Sequence, residues 1–207
     1  MDRSRRRFVS SLLAAGTSGA SGLTRACGFD GIFDAGFGTI HPRAIEVALA
    51  VRRAVADGLL PQSALAPLTP GEVGLWQATE MLKHLGRRLS AARATGLQSP
   101  DVALLCADAS LWARYVANAR SFDTLVHVDK PAPLDAIVIT DLAVVAALTQ
   151  GRLPAQTAIT RGVLLIEASE HDAGAVTALL AVACDERASA ATDVSSKTPW
   201  GPRSVRW

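Results

Sequence analysis

The chain has 207 residues, of which 49% are hydrophobic and 19% charged, with a formal net charge of +2 at pH 7. This is enough apolar material for one domain with a buried core, since domains most often have ~100–150 residues. Five arginines and a single acid lie within residues 1–26, so the rest of the chain is slightly acidic. This distribution argues against a nucleic-acid-binding domain, which would carry its basic residues on the folded part.

The first predicted element is an export signal over residues 1–26. It matches the twin-arginine pattern at Ser4, Arg5, Arg6 and Phe8. The run that follows is weakly apolar and interrupted by glycine and serine, which makes it too short and polar for a membrane span but typical of a twin-arginine leader. We therefore expect an exported bacterial protein, either periplasmic or anchored to the cell envelope.

Cys27 follows this segment directly, and the sequence allows two accounts of it. Ala26 fits the cleavage box of a bacterial lipoprotein, which would make Cys27 the lipid-attachment site and the only link to a membrane. Residues 24–26 also fit an ordinary cleavage site, which would release an unanchored protein. Residues 27–40 are rich in glycine and phenylalanine and are predicted to form a linker.

A helical segment is predicted over residues 41–96. Apolar residues recur at helical spacing up to Gly58, where the first helix is expected to end. Thr69 followed by Glu72 is typical of a capping box, which predicts a second helix that ends at about Thr95.

Short apolar strands and helices share residues 101–184. The pattern predicts strands at 102–105, 111–116, 124–129, 136–140 and 163–166, and helices at 142–148, 154–159 and 173–183. Asp141 is predicted to cap the first of these helices. The fold class is therefore α+β, with a small mixed or antiparallel sheet, helices on one face and a preceding helical segment. Residues 185–207 are expected to form a flexible tail.

The second half of this region has a characteristic order of apolar strand, Asp-capped helix, Gly-x-Leu segment, glycine and apolar strand. The positions that carry it are Asp135, Asp141, Gly151, Leu153, Ala158, Gly162 and Ile166. In this order the region resembles a sterol-carrier-protein-type (SCP2-like) lipid-binding domain. The resemblance implies a sheet with helices on one face and an apolar cavity for lipid, acyl or isoprenoid chains, or a surface for a protein partner.

Five strand residues are the candidate wall of such a cavity. They are Leu111, Trp112, Tyr115, Ile137 and Ile139. Packing in the core is the alternative role for the two aromatic residues, since both core and ligand pockets use such side chains.

Cys106 and Cys184 are a possible disulfide, because an even number of cysteines remains if Cys27 carries a lipid. Both also lie in apolar segments, which suits buried thiols.

No residue pattern indicates catalysis or a bound metal. The four histidines are not spaced as ligands on one helix face, and His127 is predicted to lie within a strand. The sequence contains no Gly-x-Ser-x-Gly elbow, phosphate loop or Cys-x-x-Cys-His motif. We therefore expect no enzymatic activity, no cofactor and no metal.

The leading functional hypothesis is a non-enzymatic envelope protein. Its expected partner is an apolar small molecule or an envelope protein, and not a nucleic acid. The alternative is an accessory or assembly factor for an exported redox enzyme.

Overall fold

The computed structural model describes residues 41–184. Predictions on the export motif, the cleavage site, Cys27 and the C-terminal tail lie outside the described residues. The elements in chain order are α1 (Ala44–Ala56), a 3-10 helix (Gln62–Leu65), α2 (Gly71–Ala94), β1 (Val102–Cys106), β2 (Leu111–Ala117), β3 (Phe122–Val126), β4 (Ala136–Thr140), α3 (Leu142–Thr149), α4 (Ala155–Thr160), β5 (Leu165–Glu167) and α5 (Glu170–Cys184). Within this part of the chain, no helix is long and apolar enough to cross a membrane.

The five strands form one mixed sheet in the order β3-β2-β1-β4-β5. Strands β1 and β4 are parallel, whereas the other neighbours are antiparallel. The α+β class with a small mixed sheet and a preceding helical segment is confirmed. The parallel pair brings the carboxyl ends of β1 and β4 to the same edge of the sheet, with Cys106 beside Thr140.

Helices cover both faces of the sheet and not one face as predicted, because α1 lies on the face opposite α2. The Tyr115 hydroxyl donates to the carbonyl oxygen of Leu82 at 3.1 Å, so Tyr115 points toward α2. Side chains alternate along a strand, which places Trp112 on the opposite face. There its ring meets the ring of His41 edge-on, with 6.5 Å between centroids. Helix α1 starts just after His41 and packs against β4.

The close approach of α2 to the sheet depends on Gly86. A Cβ at this position would overlap the Thr124 hydroxyl and would lie 3.1 Å from Cε1 of Tyr115. The leucines on this side of α2, Leu82, Leu85 and Leu89, are fully buried. A residue without a side chain is therefore what lets this helix press on β2 and β3.

Two strands differ from their predicted ranges for local reasons. Strand β3 ends at Val126, because His127 takes a positive φ of 65° and leaves the extended conformation, so its predicted place within a strand is wrong. Strand β5 starts only at Leu165. The N–H groups of Val163 and Leu164 donate to the carbonyl oxygen of Ala158 and close α4 instead.

Two helix starts also differ from prediction. Pro70 occupies the N-cap position of α2 and makes no side-chain capping bond, so the capping box predicted at Thr69 and Glu72 is wrong. Helix α5 begins at Glu170, because the Ser169 hydroxyl accepts the N–H of Asp172 and caps the first turn.

In the structure, Cys106 and Cys184 are buried and are not joined by the possible disulfide. Cys106 ends β1 and Cys184 ends α5, and both side chains belong to the apolar core. Burial, together with the nearby carboxylates of Asp108 and Asp141, raises the pKa of the Cys106 thiol well above its usual value. The protonated thiol is a poor nucleophile, which disfavours disulfide formation in the folded state.

Candidate functional site

The five predicted cavity-wall residues lie on different faces of the sheet. Leu111 and Tyr115 are fully buried on the α2 side. Trp112, Ile137 and Ile139 lie on the other face, where Ile139 is fully buried. The structure therefore does not bring the five together around one cavity, and the two pockets described here are lined by other residues.

One pocket, of about 470 Å³, lies at the start of β1 and β4 around Arg114. The Arg114 guanidinium donates to Asp135 at 2.8 and 2.9 Å and to Asp101 at 2.7 Å. The same carboxylates accept the backbone N–H groups of Ala117 and Ala132. The single guanidinium therefore bonds both carboxylates, and this network stabilises the ends of the strands.

A second pocket, of about 240 Å³, lies between the 3-10 helix, the loop that follows it, the first half of α2 and the start of α3. We call it the α2–α3 pocket. Its lining is mostly small and apolar, with a few polar side chains. The lining residues are Ser63, Ala64, Ala66, Pro67, Leu68, Thr69, Gly74, Gln77, Ala78, Met81, Asp108, Leu142, Ala143 and Ala146.

Asp108, which lines this pocket, lies beside Asp141 because of the sheet topology. Asp108 lies in the turn just after β1, and Asp141 follows β4 directly. Since β1 and β4 are parallel neighbours, residues after their carboxyl ends lie side by side. Asp108 lines the α2–α3 pocket, and Asp141 precedes the lining residue Leu142.

The hydrogen bonds of the two carboxylates to the backbone differ from the predicted helix cap. Asp141 has the extended backbone of an N-cap residue, but its side chain makes no capping bond to α3. Both carboxylate oxygens of Asp108 lie within hydrogen-bond distance of the Leu142 N–H, at 3.1 and 3.2 Å. The Asp141 carboxylate instead accepts the N–H of Asp108. The prediction that Asp141 caps this helix is therefore wrong, because Asp108 supplies that bond.

Burial makes this pair hold protons more tightly than ordinary aspartates. Burial first, and then the charge of Asp141, raise the pKa of Asp108 to about 7, against the opposing effect of backbone N–H groups. Burial also raises the pKa of Asp141 to about 6. Two adjacent carboxylates in a poorly solvated place resist double ionisation. The pair therefore holds protons at a higher pH than ordinary aspartates do.

One oxygen of the pair lacks a hydrogen-bond partner. Asp141 is only 6% exposed, yet its Oδ1 has no partner in the described part of the protein. Buried polar atoms are nearly always hydrogen-bonded, and an unsatisfied one marks a position that can accept a donor.

In the described range, no group of three or more His, Cys, Asp or Glu could hold a metal.

Several large apolar side chains that are close in sequence to the lining of the α2–α3 pocket are exposed to solvent. Trp76 is 65% exposed and Val73 is 60% exposed, each within one turn of lining residues of α2. Leu65, at the end of the 3-10 helix, is also exposed. Exposed apolar side chains are therefore carried by the same two helices that contribute to the pocket lining.

Sequence reasoning identified Asp141 and missed Asp108. The missed signal was the position of each aspartate after a buried apolar strand, at 102–106 and 136–140. It becomes informative only when the two strands are known to be parallel neighbours. The sequence of each strand does not show this pairing.

Comparisons with known proteins give a structural likeness for this chain. No protein-family model matches it. No curated protein matches it either. Among solved structures it is similar to one described as "UbiJ-SCP2 Ubiquinone synthesis protein", with 19% sequence identity and a TM-score of 0.39 over 54% of this chain and 99% of that one. The likeness is to an SCP2 domain.

Proposed function

We propose that this chain is a non-enzymatic binding protein that takes a small amphiphilic molecule into the α2–α3 pocket. The observation that carries the proposal is the pocket itself, in which a mostly apolar lining includes the carboxylate of Asp108. Ligand pockets commonly combine apolar walls with a few polar groups that orient the ligand.

The size of the pocket limits the ligand. A volume of about 240 Å³ is below the ~300 Å³ at the small end of ligand pockets. A sterol or a long isoprenoid chain does not fit inside. A short alkyl chain with a polar head does, and a longer chain would extend across the exposed side chains of Val73 and Trp76.

We also propose that the protein acts in the bacterial envelope. The support is the export motif formed by Ser4, Arg5, Arg6 and Phe8, followed by Cys27 at the predicted cleavage site. Intact-mass analysis of the protein from the envelope fraction tests this. A chain that begins at an acylated Cys27 supports the anchored form, an unmodified shortened chain supports the released form, and an uncleaved chain contradicts export.

A second candidate function is that of an accessory factor for an exported enzyme. The observation that favours it is the set of large apolar side chains that remain exposed on α1 and α2, with Ile45 and Leu49 about half exposed. Exposed apolar patches often mark protein-binding surfaces. Replacement of Ile45 and Leu49 by serine would abolish co-purification of such a partner without unfolding the chain.

The ligand proposal is tested by titrating hexanol into the full chain and measuring binding by NMR. We expect binding that is lost when Ala146→Phe fills the pocket and retained when Ala91→Phe adds the same group to the exposed side of α2. Ala146 lines the pocket, whereas Ala91 lies outside it. Binding that both variants retain, or no binding to the wild-type chain, would contradict the proposal.

A further inference from the structure

We infer that residues 28–38 fold back onto the exposed side of helix α1 and cover it. We call this side the α1 outer face, and it consists of Ile45, Leu49, Arg52 and Arg53, all of which are exposed. The inference goes beyond the proposed function, because α1 contributes no residue to the lining of the α2–α3 pocket.

The α1 outer face begins with apolar side chains that the described part of the protein leaves uncovered. Ile45 is 52% exposed and Leu49 is 50% exposed. The two residues are four apart in the sequence, so they lie next to each other on one side of the helix. Adjacent exposed apolar side chains often mark a surface that another segment or protein covers. The other side of α1 packs into the core through Ala44, Val47, Ala50, Val51 and Ala54.

The same face continues with two arginines that have no acidic partner in the described range. Arg52 and Arg53 follow Leu49 by about one turn. Neither takes part in an ion pair there, whereas Arg43 at the start of the helix is paired with Glu46. The outer face is therefore apolar over its first turns and positively charged further along. A matching occupant needs large apolar side chains together with carboxylates.

Residues 28–38 have this composition. They read GFDGIFDAGFG and contain three of the five phenylalanines of the chain, together with one isoleucine. Asp30 and Asp34 are the only charged residues among them, so two negative charges are available for the two arginines. Linkers that remain in solvent are poor in aromatic residues, because aromatic side chains favour burial. The predicted linker therefore has the apolar and acidic side chains that the α1 outer face lacks.

The path of the chain permits this contact. His41 is held on the sheet by its edge-on contact with Trp112, and its Nε2 lies 3.4 Å from the carboxylate of Glu167. Helix α1 begins three residues later, so the segment joins the folded part beside the first turn of the helix. Arg53 lies about 14 Å along the axis from the start of α1, at 1.5 Å per residue. Eleven extended residues span roughly 36 Å, and the four glycines of the segment allow the chain to reverse direction.

Two other occupants fit the face less well or compete for it. A second copy of the chain, joined through the same face, would bring arginines against arginines, because a two-fold contact uses one patch twice. A protein partner that binds Ile45 and Leu49 would have to displace residues 28–38. The segment therefore competes with the accessory-factor contact proposed above.

The test measures how accessible the α1 outer face is in the full chain. Leu49→Cys and Trp76→Cys are made separately and treated with iodoacetamide, and peptide mapping by mass spectrometry follows each introduced thiol. Both positions are at least half exposed, so an uncovered face predicts similar rates of modification. We expect Leu49→Cys to be modified at least about tenfold more slowly, which corresponds to about 1.4 kcal/mol of docking free energy.

Charge reversal then tests which segment provides the protection. Asp30→Lys combined with Asp34→Lys should remove the protection of the introduced thiol, and replacing both arginines of the α1 outer face by glutamate in the same chain should restore it. As the matched control, Asp123→Lys combined with Asp129→Lys reverses two exposed aspartates elsewhere and should leave the protection unchanged.

Three results would overturn the inference. Equal rates at the two introduced cysteines would leave the face uncovered and available to a protein partner. Protection that rises with protein concentration would assign the face to a second copy of the chain. Protection that survives deletion of residues 28–38 would show that another part of the protein covers the face, and this deletion decides the question even if the charge-reversed chains do not fold.

Discussion

Lowering the pH from 8 to 5 is expected to stabilise the folded chain, because the Asp108–Asp141 pair binds protons more tightly when folded. An aspartate in an unfolded chain has a pKa of about 3.9. Folding raises the pKa of Asp108 to about 7 and that of Asp141 to about 6. A raised pKa in an acid means that the folded state holds the proton over the pH range between the two values, so the free energy of unfolding falls as the pH rises through that range.

The magnitude follows from proton linkage. Between pH 5 and pH 8, the shift at Asp108 corresponds to about 3 kcal/mol of lost stability, and the smaller shift at Asp141 to about 1 kcal/mol. Such a difference is a large part of a typical unfolding free energy of about 5–15 kcal/mol. Asp108→Asn should remove most of the pH dependence, because it eliminates the larger of the two contributions.

The assay is urea unfolding of the full chain at pH 5, 6.5 and 8. His84 acts in the opposite direction, since burial first, and then the charges of Arg87 and Arg88, lower its pKa. A histidine whose pKa is lowered by folding makes the folded chain less stable as the pH falls. The measurement is therefore best made in a His84→Gln background. Stability that is constant or rises from pH 5 to pH 8 in that background would refute the reasoning about the buried pair.

Three further predictions concern packing and charge. Gly86→Ala should lower the unfolding free energy by about 1–3 kcal/mol, since the added Cβ would overlap the Thr124 hydroxyl. As a control, Gly174→Ala places its Cβ in open space in α5 and should be neutral or stabilising by up to about 1 kcal/mol. Equal effects of the two substitutions in urea unfolding would contradict the packing argument. Arg114→Lys should lower the unfolding free energy by about 1–3 kcal/mol, because it breaks the two-bond contact with the Asp135 carboxylate, which is only 1% exposed. Arg161→Lys, in an exposed ion pair, should lower it by less than about 1 kcal/mol. A similar loss of stability in both variants would refute the role of burial. The two buried cysteines should resist iodoacetamide in the folded chain and react without prior reduction after unfolding; mass spectrometry checks this, and a need for reductant would show a disulfide.

The element order of the α+β region could be read from the sequence because its strands are short, buried and separated by clear turn residues. Strand β4 and helix α3 illustrate this, since an unbroken apolar run, an aspartate and a second apolar run follow one another. Errors arose where local signals competed. The residues after Thr160 have strand-forming side chains, yet their N–H groups close helix α4 before β5 can start.

The order of strands in the sheet could not be derived from local sequence patterns. Strands β1, β2 and β3 follow one another as antiparallel neighbours, which short connections favour. The next strand does not continue this series beside β3, but pairs with β1 on its free side. The choice depends on which faces α2 and α5 must cover, and that is a property of the whole core.

The candidate site depends on this one topological choice. A capping residue is normally sought within the same segment as its helix, and Asp141 has the position and the extended backbone for that role. The bond to α3 comes instead from Asp108, while Asp141 accepts the N–H of Asp108 in return. Each carboxylate thus holds the backbone of the other's segment, and the turn after β1 is tied to the start of α3.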